Sequence, residues 1–380
     1  MLDTIFGKVL LLFTETRMAY AYWLLPFLGL IGAMLVWVNQ KIGGSSRKGM
    51  ALIFEAGHGK AKDIPLRLIP LTIMGTWLTH LFGGSAGREG VAIQIGGTLA
   101  HGISKRLPIA NSSKILLITG MAAGFAGLFG TPIGATFFAI EVLTVGSIEH
   151  QAVLPALVAA FAASFTSSYL GLERFSFMLT DQLSLSGPLA IKLLTIGVIF
   201  GVSGGLFSAS LHKMKELLAR YWTNPILRIF IIGIVISVFS LLCWGGRYSG
   251  LGTNLIGASF GGGEVFAWDF AMKFIFTVVT LAAGFQGGEV TPLFAIGSTL
   301  GVALAGLLGL PPAFAGALGY TALFGSATNT LIAPILLGAE VFGYAYTPYF
   351  VVVCALAYVC NGNISIYPLQ KGAWAWRKEL

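Results

Sequence analysis

The chain has 380 residues, of which 56% are hydrophobic and 10% charged, and it carries a formal net charge of +8. Its mean hydropathy of +0.84 excludes an ordinary soluble globular protein. The Lys and Arg residues form short, scattered groups. This argues against a nucleic-acid-binding surface and indicates the cytoplasmic edge of a membrane protein.

Three long segments, residues 18–40, 115–140 and 290–339, contain no Asp, Glu, Lys or Arg. A membrane-spanning helix needs about 20 apolar residues, so the first two segments each predict a span and the third predicts at least two. The first segment is too long for a secretory signal and lacks a small-residue cleavage site. The pattern predicts an all-α polytopic membrane protein.

Cysteine and histidine residues give no sign of a metal or redox centre. Cys243, Cys354 and Cys360 lie in apolar segments without a Cys-x-x-Cys spacing, and the five histidines lack metal-ligand spacing. We therefore expect no disulfide, no metal, no cofactor and no enzymatic activity.

Residues 83–92, GGSAGREGVA, combine a glycine-rich loop with the start of a predicted helix. The N–H groups at a helix N-terminus lack intrahelical partners, and with the helix dipole they attract an anion. The Glu89 carboxylate is itself an anion tethered at such a site, so it occupies the site when ionised and leaves when protonated. A salt bridge between Arg88 and Glu89 is disfavoured because adjacent helical residues do not face each other. We expect Arg88 to serve the framework of the site.

An internal repeat links this stretch to the second half of the chain. GREGVAIQIGGTLA (87–100) is similar to GEVTPLFAIGSTLG (288–301), and ATFFAIEV (135–142) is similar to PILLGAEV (334–341) at nearly the same offset. Interrupted apolar segments at matching positions of two halves are typical of transporters, whose sites lie near the middle of the membrane.

The repeat divides the chain into two membrane halves, residues 1–182 and 183–380. We expect them to form one integral transmembrane domain without a regulatory domain. Glu141 and Glu340 occupy matching positions, and this symmetry favours a structural role for both. Asp269 and Lys273 are spaced i, i+4, which predicts an ion pair on one helix.

These motifs together resemble the CLC family of chloride channels and proton-coupled anion antiporters. Glu89 in GREGV matches the gating glutamate of that family, with Val91 in place of the motif's proline. GGEVTP (287–292) matches a second-repeat motif, and GLGTNLIG (250–257) resembles another family segment. GNISIYPLQ (362–370) resembles the segment of the pore tyrosine, which maps to Tyr367. The resemblance implies two inverted-topology repeats with interrupted and re-entrant helices, and a homodimer.

Three departures from the chloride-transporting pattern are similar to the CLC-F branch, the bacterial fluoride/proton antiporters. The family's serine loop is absent from SSRKGMALIFEAG (45–57), where Met50 falls near the serine position. Val142 replaces the internal proton-transfer glutamate, and Glu289 stands inside the second motif. The resemblance implies export of cytoplasmic fluoride in exchange for inward protons across the bacterial inner (cytoplasmic) membrane.

The resemblance also assigns roles to individual residues. Glu89 would be the gating glutamate and Glu289 a second proton acceptor, because an intramembrane carboxylate is a functional candidate by default. A structural glutamate bonded to backbone N–H groups stays open for Glu289. Fluoride holds its water tightly and needs many close N–H and O–H donors in exchange. The expected anion-binding residues are Gly87, Arg88, Gly90, Val91, Val290, Thr291, Tyr367 and Met50.

Three alternatives to fluoride/proton exchange come from the sequence, and the most remote is a purely structural or sensory membrane protein, which no long extramembranous segment supports. The nearest one is a chloride/proton antiporter or passive anion channel of the same fold. Another is an intramembrane serine protease, with Ser85 of GGSAG as nucleophile and His101 or His150 as base. A single Gly-Ser-x-Gly in a glycine-rich chain supports that reading only weakly.

Overall fold

The computed structural model describes residues 1–107, 112–181, 183 and 186–372. Residue 182, at the predicted boundary between the halves, and the segment 373–380 lie outside the described residues. Within the described residues the chain is helical and has two isolated β-bridges instead of strands. The α-helices in chain order are α1 Leu2–Ala19, α2 Ala21–Leu24, α3 Leu28–Ile42, α4 Met50–Gly57, α5 Leu68–Leu81, α6 Glu89–Ser104, α7 Ser112–Phe129, α8 Pro132–Glu141, α9 Val153–Tyr169, α10 Gly187–Tyr221, α11 Pro225–Leu242, α12 Thr253–Gly261, α13 Asp269–Ala283, α14 Val290–Leu308, α15 Pro312–Thr328, α16 Ile332–Phe342 and α17 Thr347–Val359.

Six helical segments of the described chain are long and apolar enough to cross a membrane, judged by length and composition. They include α7, α9, α10, α11 and α14 as well as the combined segment Ala21–Ile42. Four others, α4, α8, α12 and α16, have only 8 to 11 residues and are too short to span about 30 Å of hydrocarbon. Their ends therefore lie within the protein, where backbone groups need partners.

Glycine residues let the central helices approach closely. A Cβ atom on Gly96 of α6 would overlap the carbonyl oxygen of Gly120 on α7, and one on Gly297 of α14 would overlap that of Gly319 on α15. Such contacts between small residues are the usual means of packing helices in lipid, where apolar burial supplies no net attraction. The same close glycine–glycine contact thus occurs at corresponding positions of the α6–α7 and α14–α15 pairs.

Two glutamates, of which Glu141 is buried and Glu340 partly buried, cap the short helices of the opposite half. Glu141 at the end of α8 accepts hydrogen bonds from the N–H groups of Leu331, Ile332 and Ala333 at the start of α16, at 2.6 to 3.2 Å. Glu340 on α16 accepts from the N–H groups of Ile133 and Gly134 on α8, at 3.0 and 2.8 Å. Each carboxylate satisfies orphan donors at a helix N-terminus, as a structural role requires.

The predicted ion pair between Asp269 and Lys273 is wrong. Asp269 instead binds Arg247 through two hydrogen bonds, at 3.0 and 2.7 Å, and accepts a third from the Tyr248 hydroxyl at 2.7 Å. Lys273 donates to Ser85 Oγ and to two carbonyl oxygens. Both side chains are fully buried, so partners from neighbouring elements replace the exposed i, i+4 pairing.

The ends of α6 and α7 lie on different sides of the molecule. The two helices are antiparallel, because Gly96 faces Gly120 and Gly124 faces Ala92. Lys105 follows the C-terminus of α6, and Lys114 lies near the start of α7. The 16 residues of α6 span about 24 Å. The N-terminus of α6 and the C-terminus of α7 are thus remote from the lysine-rich face, defined here by Lys62, Lys105, Lys114 and Lys371.

Candidate anion site between two helix N-termini

The two glycine-rich loops meet in the interior of the protein. Gly87 and Gly288 form an isolated antiparallel bridge, in which the Gly87 N–H donates to the Gly288 carbonyl at 2.5 Å and the Gly288 N–H donates back at 2.9 Å. This pairing brings the N-terminus of α6 next to the N-terminus of α14. Two sets of orphan N–H donors and two positive helix ends therefore converge on one point.

The Glu89 carboxylate lies at that point and is fully buried. Its Oε2 accepts a hydrogen bond from the backbone N–H of Arg88 at 2.9 Å and another from the Thr291 hydroxyl at 2.7 Å. Its Oε1 accepts from the backbone N–H of Val290. The carboxylate bridges the two loops, and its donors are those that would suit a small anion.

The absence of side chains at positions 87 and 288 makes room for this carboxylate. A Cβ atom on Gly87 would lie 2.7 Å from Glu89 Oε2, and one on Gly288 would lie 2.8 Å from Glu89 Cδ. Both distances are well inside van der Waals contact. The two glycines are required here for close approach of an anion to the backbone.

Other N–H groups remain free around this centre. The backbone N–H groups of Gly90, Val91 and Thr291 make no hydrogen bond with any residue the structure describes. All three belong to the first turns of α6 and α14, where no intrahelical acceptor exists. Together with the Val290 N–H, they supply the backbone donors that the sequence predicted at this site.

Glu289 has a different environment from Glu89. It is the N-cap residue of α14, yet its side chain makes no capping hydrogen bond, and it is partly buried. The described residues include no side-chain hydrogen-bond partner for its carboxylate, and the nearest backbone donor is its own N–H group. The Lys215 ammonium of α10 and the Glu89 carboxylate both lie within electrostatic range.

Tyr367 lies in an aromatic cluster beside the two glutamates. Its ring centroid is 5.0 Å from that of Phe54 and 6.5 Å from that of Phe138. Its hydroxyl has no hydrogen-bond partner among the described residues, and both Glu89 and Glu289 are close enough to act on it electrostatically. Met50 begins α4 and lies one turn before Phe54 on that short helix. Because Phe54 contacts Tyr367, Met50 is on the part of α4 that faces Tyr367.

Arg88 does not pair with Glu89 through its side chain. Its guanidinium lies over the Phe129 ring, 5.5 Å from the ring centroid, while its backbone N–H holds the carboxylate. Arg88 is 8% exposed, and its Nε is without a hydrogen-bond partner in the described structure. The expected separation of the two charges is confirmed.

Among the described residues, Ser85 is not hydrogen-bonded to either histidine of the serine-protease alternative. Ser85 Oγ contacts Thr277 Oγ1 at 2.9 Å and Lys273 Nζ at 2.9 Å, whereas His101 contacts Ser113. Lys273 also donates to the carbonyl oxygens of Tyr248 and Gly250, so its three protons are all engaged with fixed acceptors. Lys273 Nζ bound in this way holds the loop before Glu89.

Sequence reasoning missed this role of Lys273, although one signal for it was available. A lysine within an apolar helix is costly unless it is paired, and it therefore marks a buried partner. The partner itself, Ser85, lies far away in the sequence and becomes visible only in the fold.

Comparison with known proteins places most of the chain in one family. The family model described as voltage gated chloride channel matches residues 28–362. A chloride/fluoride channel protein of Pseudomonas syringae pv. tomato is 35% identical over 360 residues, which cover 93% of this chain and 78% of the relative. The voltage-gated ClC-type chloride channel ClcB of Salmonella typhi is 24% identical over 355 residues, which cover 89% of this chain and 84% of the relative.

Solved structures give the same result. The crystal structure of a CLC-type fluoride/proton antiporter superimposes with a TM-score of 0.96 at 52% identity, covering 98% of this chain and 94% of that chain. A slow cyanobacterial Cl⁻/H⁺ antiporter superimposes with a TM-score of 0.81 at 21% identity, covering 95% and 90%, and shows the fold alone. The predicted CLC-type membrane fold is confirmed, and the chain belongs to the voltage-gated chloride channel family.

Proposed function

We propose that this protein is a fluoride/proton antiporter that exports cytoplasmic fluoride in exchange for inward protons. The observation that carries the proposal is the position of the Glu89 carboxylate, a proton acceptor that itself occupies the anion-binding donors of two helix N-termini. The relatives include a chloride/fluoride channel protein and a fluoride/proton antiporter, which supports fluoride as the substrate.

Competition between Glu89 and the anion couples the two fluxes. The ionised carboxylate binds the Arg88 and Val290 N–H groups and excludes fluoride. When an external proton adds to the carboxylate, the resulting neutral acid loses its charge-assisted hydrogen bonds and leaves the donors. Fluoride takes its place. When the proton is released toward the cytoplasm, the ionised carboxylate returns and displaces fluoride outward.

Glu289 is the group through which we propose that the proton leaves Glu89. It directly precedes Val290, whose N–H holds the Glu89 carboxylate, and its own side chain makes no capping hydrogen bond. Val142 is fully buried and carries no titratable group, so it supplies no proton path of its own. Lys215 on α10 lies within electrostatic range of Glu289, on the helix half that carries several basic residues.

The donor set suits a small, strongly hydrated anion. Backbone N–H groups of Gly90, Val91 and Thr291 are free, and the hydroxyls of Thr291 and Tyr367 stand nearby. Replacing tightly held water requires such a density of close donors. The hydroxyl of Thr291 serves the carboxylate and the anion in turn, whereas that of Tyr367 is available to the anion throughout.

We propose that the lysine-rich face is cytoplasmic and that the protein resides in the bacterial inner membrane. Lys62, Lys114 and Lys371 line a cavity of about 480 Å³ together with His58. Burial lowers the pKa of the His58 imidazole, a hydrogen bond with the Leu143 carbonyl opposes this shift, and the nearby lysines lower the pKa further. Lysine enrichment marks the cytoplasmic side of membrane proteins, and it raises the local anion concentration at this entrance.

We further propose a homodimer of two related halves, residues 1–182 and 183–380, with one complete anion site in each subunit. The reciprocal caps of Glu141 and Glu340 support the relation between the halves. The family resemblance implies the dimer, and exposed apolar residues such as Leu154, Phe161 and Phe165 on α9 are available for such a contact within the membrane. Single-molecule subunit counting in lipid bilayers tests this assembly, and a population of monomers would contradict it.

Proteoliposomes containing the purified chain test the transport reaction. An outward fluoride gradient should drive protons inward against their own gradient, and an equal chloride gradient should do so poorly. Equal proton movement with chloride would make the protein a chloride/proton antiporter. Fluoride movement without protons would make it a channel.

A further inference from the structure

We infer that a cavity between the end of α3 and the start of α11 binds the phosphate headgroup of an anionic phospholipid. The cavity has a volume of about 300 Å³, at the lower end of the roughly 300–1,000 Å³ that ligand pockets occupy. Among the described residues, its lining includes Arg47 and Arg228 and no acidic side chain. The inference goes beyond the proposed function, because it does not depend on which ion the protein transports.

The cavity lies on the side of the lysine-rich face, between two helices that are long and apolar enough to cross a membrane. Arg47, in its lining, follows Gly44 by three residues, and a Cβ atom on Gly44 would overlap the Arg67 guanidinium. Asp63, four residues before Arg67, forms an ion pair with Lys105 of the lysine-rich face. The cavity is therefore positioned where the lipid headgroups of that leaflet meet the hydrocarbon.

The two arginines keep most of their hydrogen-bond donors free. Arg47 Nε donates to the Gly44 carbonyl and Arg228 Nε donates to the Ala283 carbonyl, each at 3.3 Å. Neither guanidinium forms an ion pair or a further hydrogen bond with any residue that the structure describes. The terminal NH₂ groups of both side chains thus remain available. Such planar pairs of donors match the oxygens of a phosphate group.

The surroundings of the arginines favour a lipid over a soluble phosphate. Apolar side chains also line the cavity: Leu35, Val36, Pro225, Ile229 and Phe285. On α3, the Lys41 ammonium lies 5.9 Å from the ring centroid of the exposed Trp37, and both residue types are typical of the membrane interface. Residues 16–54 and 217–263 contain no Asp or Glu that would repel an anionic headgroup. Basic pockets between membrane helices recognise such headgroups.

The cavity also reaches the loop that leads to the anion site. Phe285 and Gln286 line it and directly precede residues 287–289. A Cβ atom on Gly32 of α3 or on Gly233 of α11 would crowd the Phe285 ring, so this ring packs where the two helices meet. A headgroup bound to both arginines therefore links α3, α11 and this loop. Its binding should stabilise the folded protein by mass action.

Lipid retention by the purified chain in detergent, measured by native mass spectrometry, tests the site. The parent should retain phosphatidylglycerol under conditions that remove phosphatidylcholine, and phosphatidylglycerol should raise its thermal unfolding midpoint. Arg47→Gln and Arg228→Gln should each weaken phosphatidylglycerol binding about tenfold, the effect of one lost charge-assisted hydrogen bond. Arg228→Lys keeps the charge and should bind more tightly than Arg228→Gln. Arg106→Gln is the matched control, because Arg106 is exposed beside Lys105 and outside the cavity; it should bind as the parent does.

Four outcomes would overturn the inference. One is equal retention of phosphatidylcholine and phosphatidylglycerol by the parent. Another is parental phosphatidylglycerol binding in both Arg47→Gln and Arg228→Gln. The third is an equal loss of binding in Arg106→Gln, which would indicate general attraction to a basic surface. The fourth is an equal rise of the unfolding midpoint with inorganic phosphate, which would make the cavity a site for a soluble anion. None of these measurements uses transport, so a failure of fluoride/proton exchange is distinguished from a failure of the lipid site.

Discussion

Substituting Glu89 by glutamine removes the titrating proton site and keeps the size of the side chain. In the native site two carboxylate oxygens accept three hydrogen bonds, from Arg88 N–H, Val290 N–H and Thr291 Oγ1. Glutamine offers one carbonyl oxygen and turns its NH₂ group toward a donor. It therefore loses one or two charge-assisted bonds, which weakens occupancy of the site by about 2–5 kcal/mol, a factor of about 30 to several thousand.

The expected result is loss of coupling. In proteoliposomes monitored with a fluoride electrode and a pH electrode, Glu89→Gln should show no proton movement above that of protein-free liposomes. Any remaining fluoride flux should no longer respond to a pH gradient. Glu340→Gln is the matched control, because it alters another carboxylate, partly buried, that caps a helix outside the site. It should lower thermal stability and retain coupling. Proton movement at the parental fluoride-to-proton ratio in Glu89→Gln would refute the competition between carboxylate and anion.

Three further substitutions separate function from stability. Glu289→Gln should slow proton-coupled exchange about a hundredfold. It should change the free energy of unfolding by less than about 1 kcal/mol, because the Glu289 side chain makes no capping hydrogen bond. Exchange at the parental rate would make Glu289 structural. Tyr367→Phe keeps the ring contact with Phe54 and should raise the half-saturating fluoride concentration about tenfold. An unchanged half-saturating concentration would show that the Tyr367 hydroxyl does not bind the anion. Lys273→Met leaves two carbonyl oxygens without their donor and Ser85 Oγ with only Thr277 as partner, and it should cost about 2–5 kcal/mol in detergent unfolding measurements. A stability equal to that of the parent would show that the hydrogen bonds of Lys273 are not needed.

The centre of the candidate site could be predicted from sequence because its determinants are local. A helix start exposes N–H groups whatever the rest of the fold does, and the glycines at 87 and 288 mark a close backbone approach. The internal repeat then indicated that the loop around Gly288 is the counterpart of the loop around Gly87, and the two loops meet in the fold. Glu141 and Glu340 were predicted as structural for the same reason, since both sit at matching helix ends.

Contacts between distant elements could not be predicted in this way. The i, i+4 spacing predicted a pair of Asp269 with Lys273. In the fold, Arg247 from another element binds Asp269, and Ser85 from another element accepts a hydrogen bond from Lys273. Buried polar partners are chosen by tertiary packing, which periodicity does not encode.

The voltage at which fluoride flux reverses tests the central claim of coupled exchange most directly. In proteoliposomes clamped with a potassium gradient and valinomycin, an antiporter has a reversal voltage that depends on both the fluoride and the proton gradients. At a fixed fluoride gradient, the account predicts that imposing a pH gradient shifts this voltage. A reversal voltage that stays at the fluoride equilibrium potential at every pH gradient would contradict exchange and make the protein a fluoride channel.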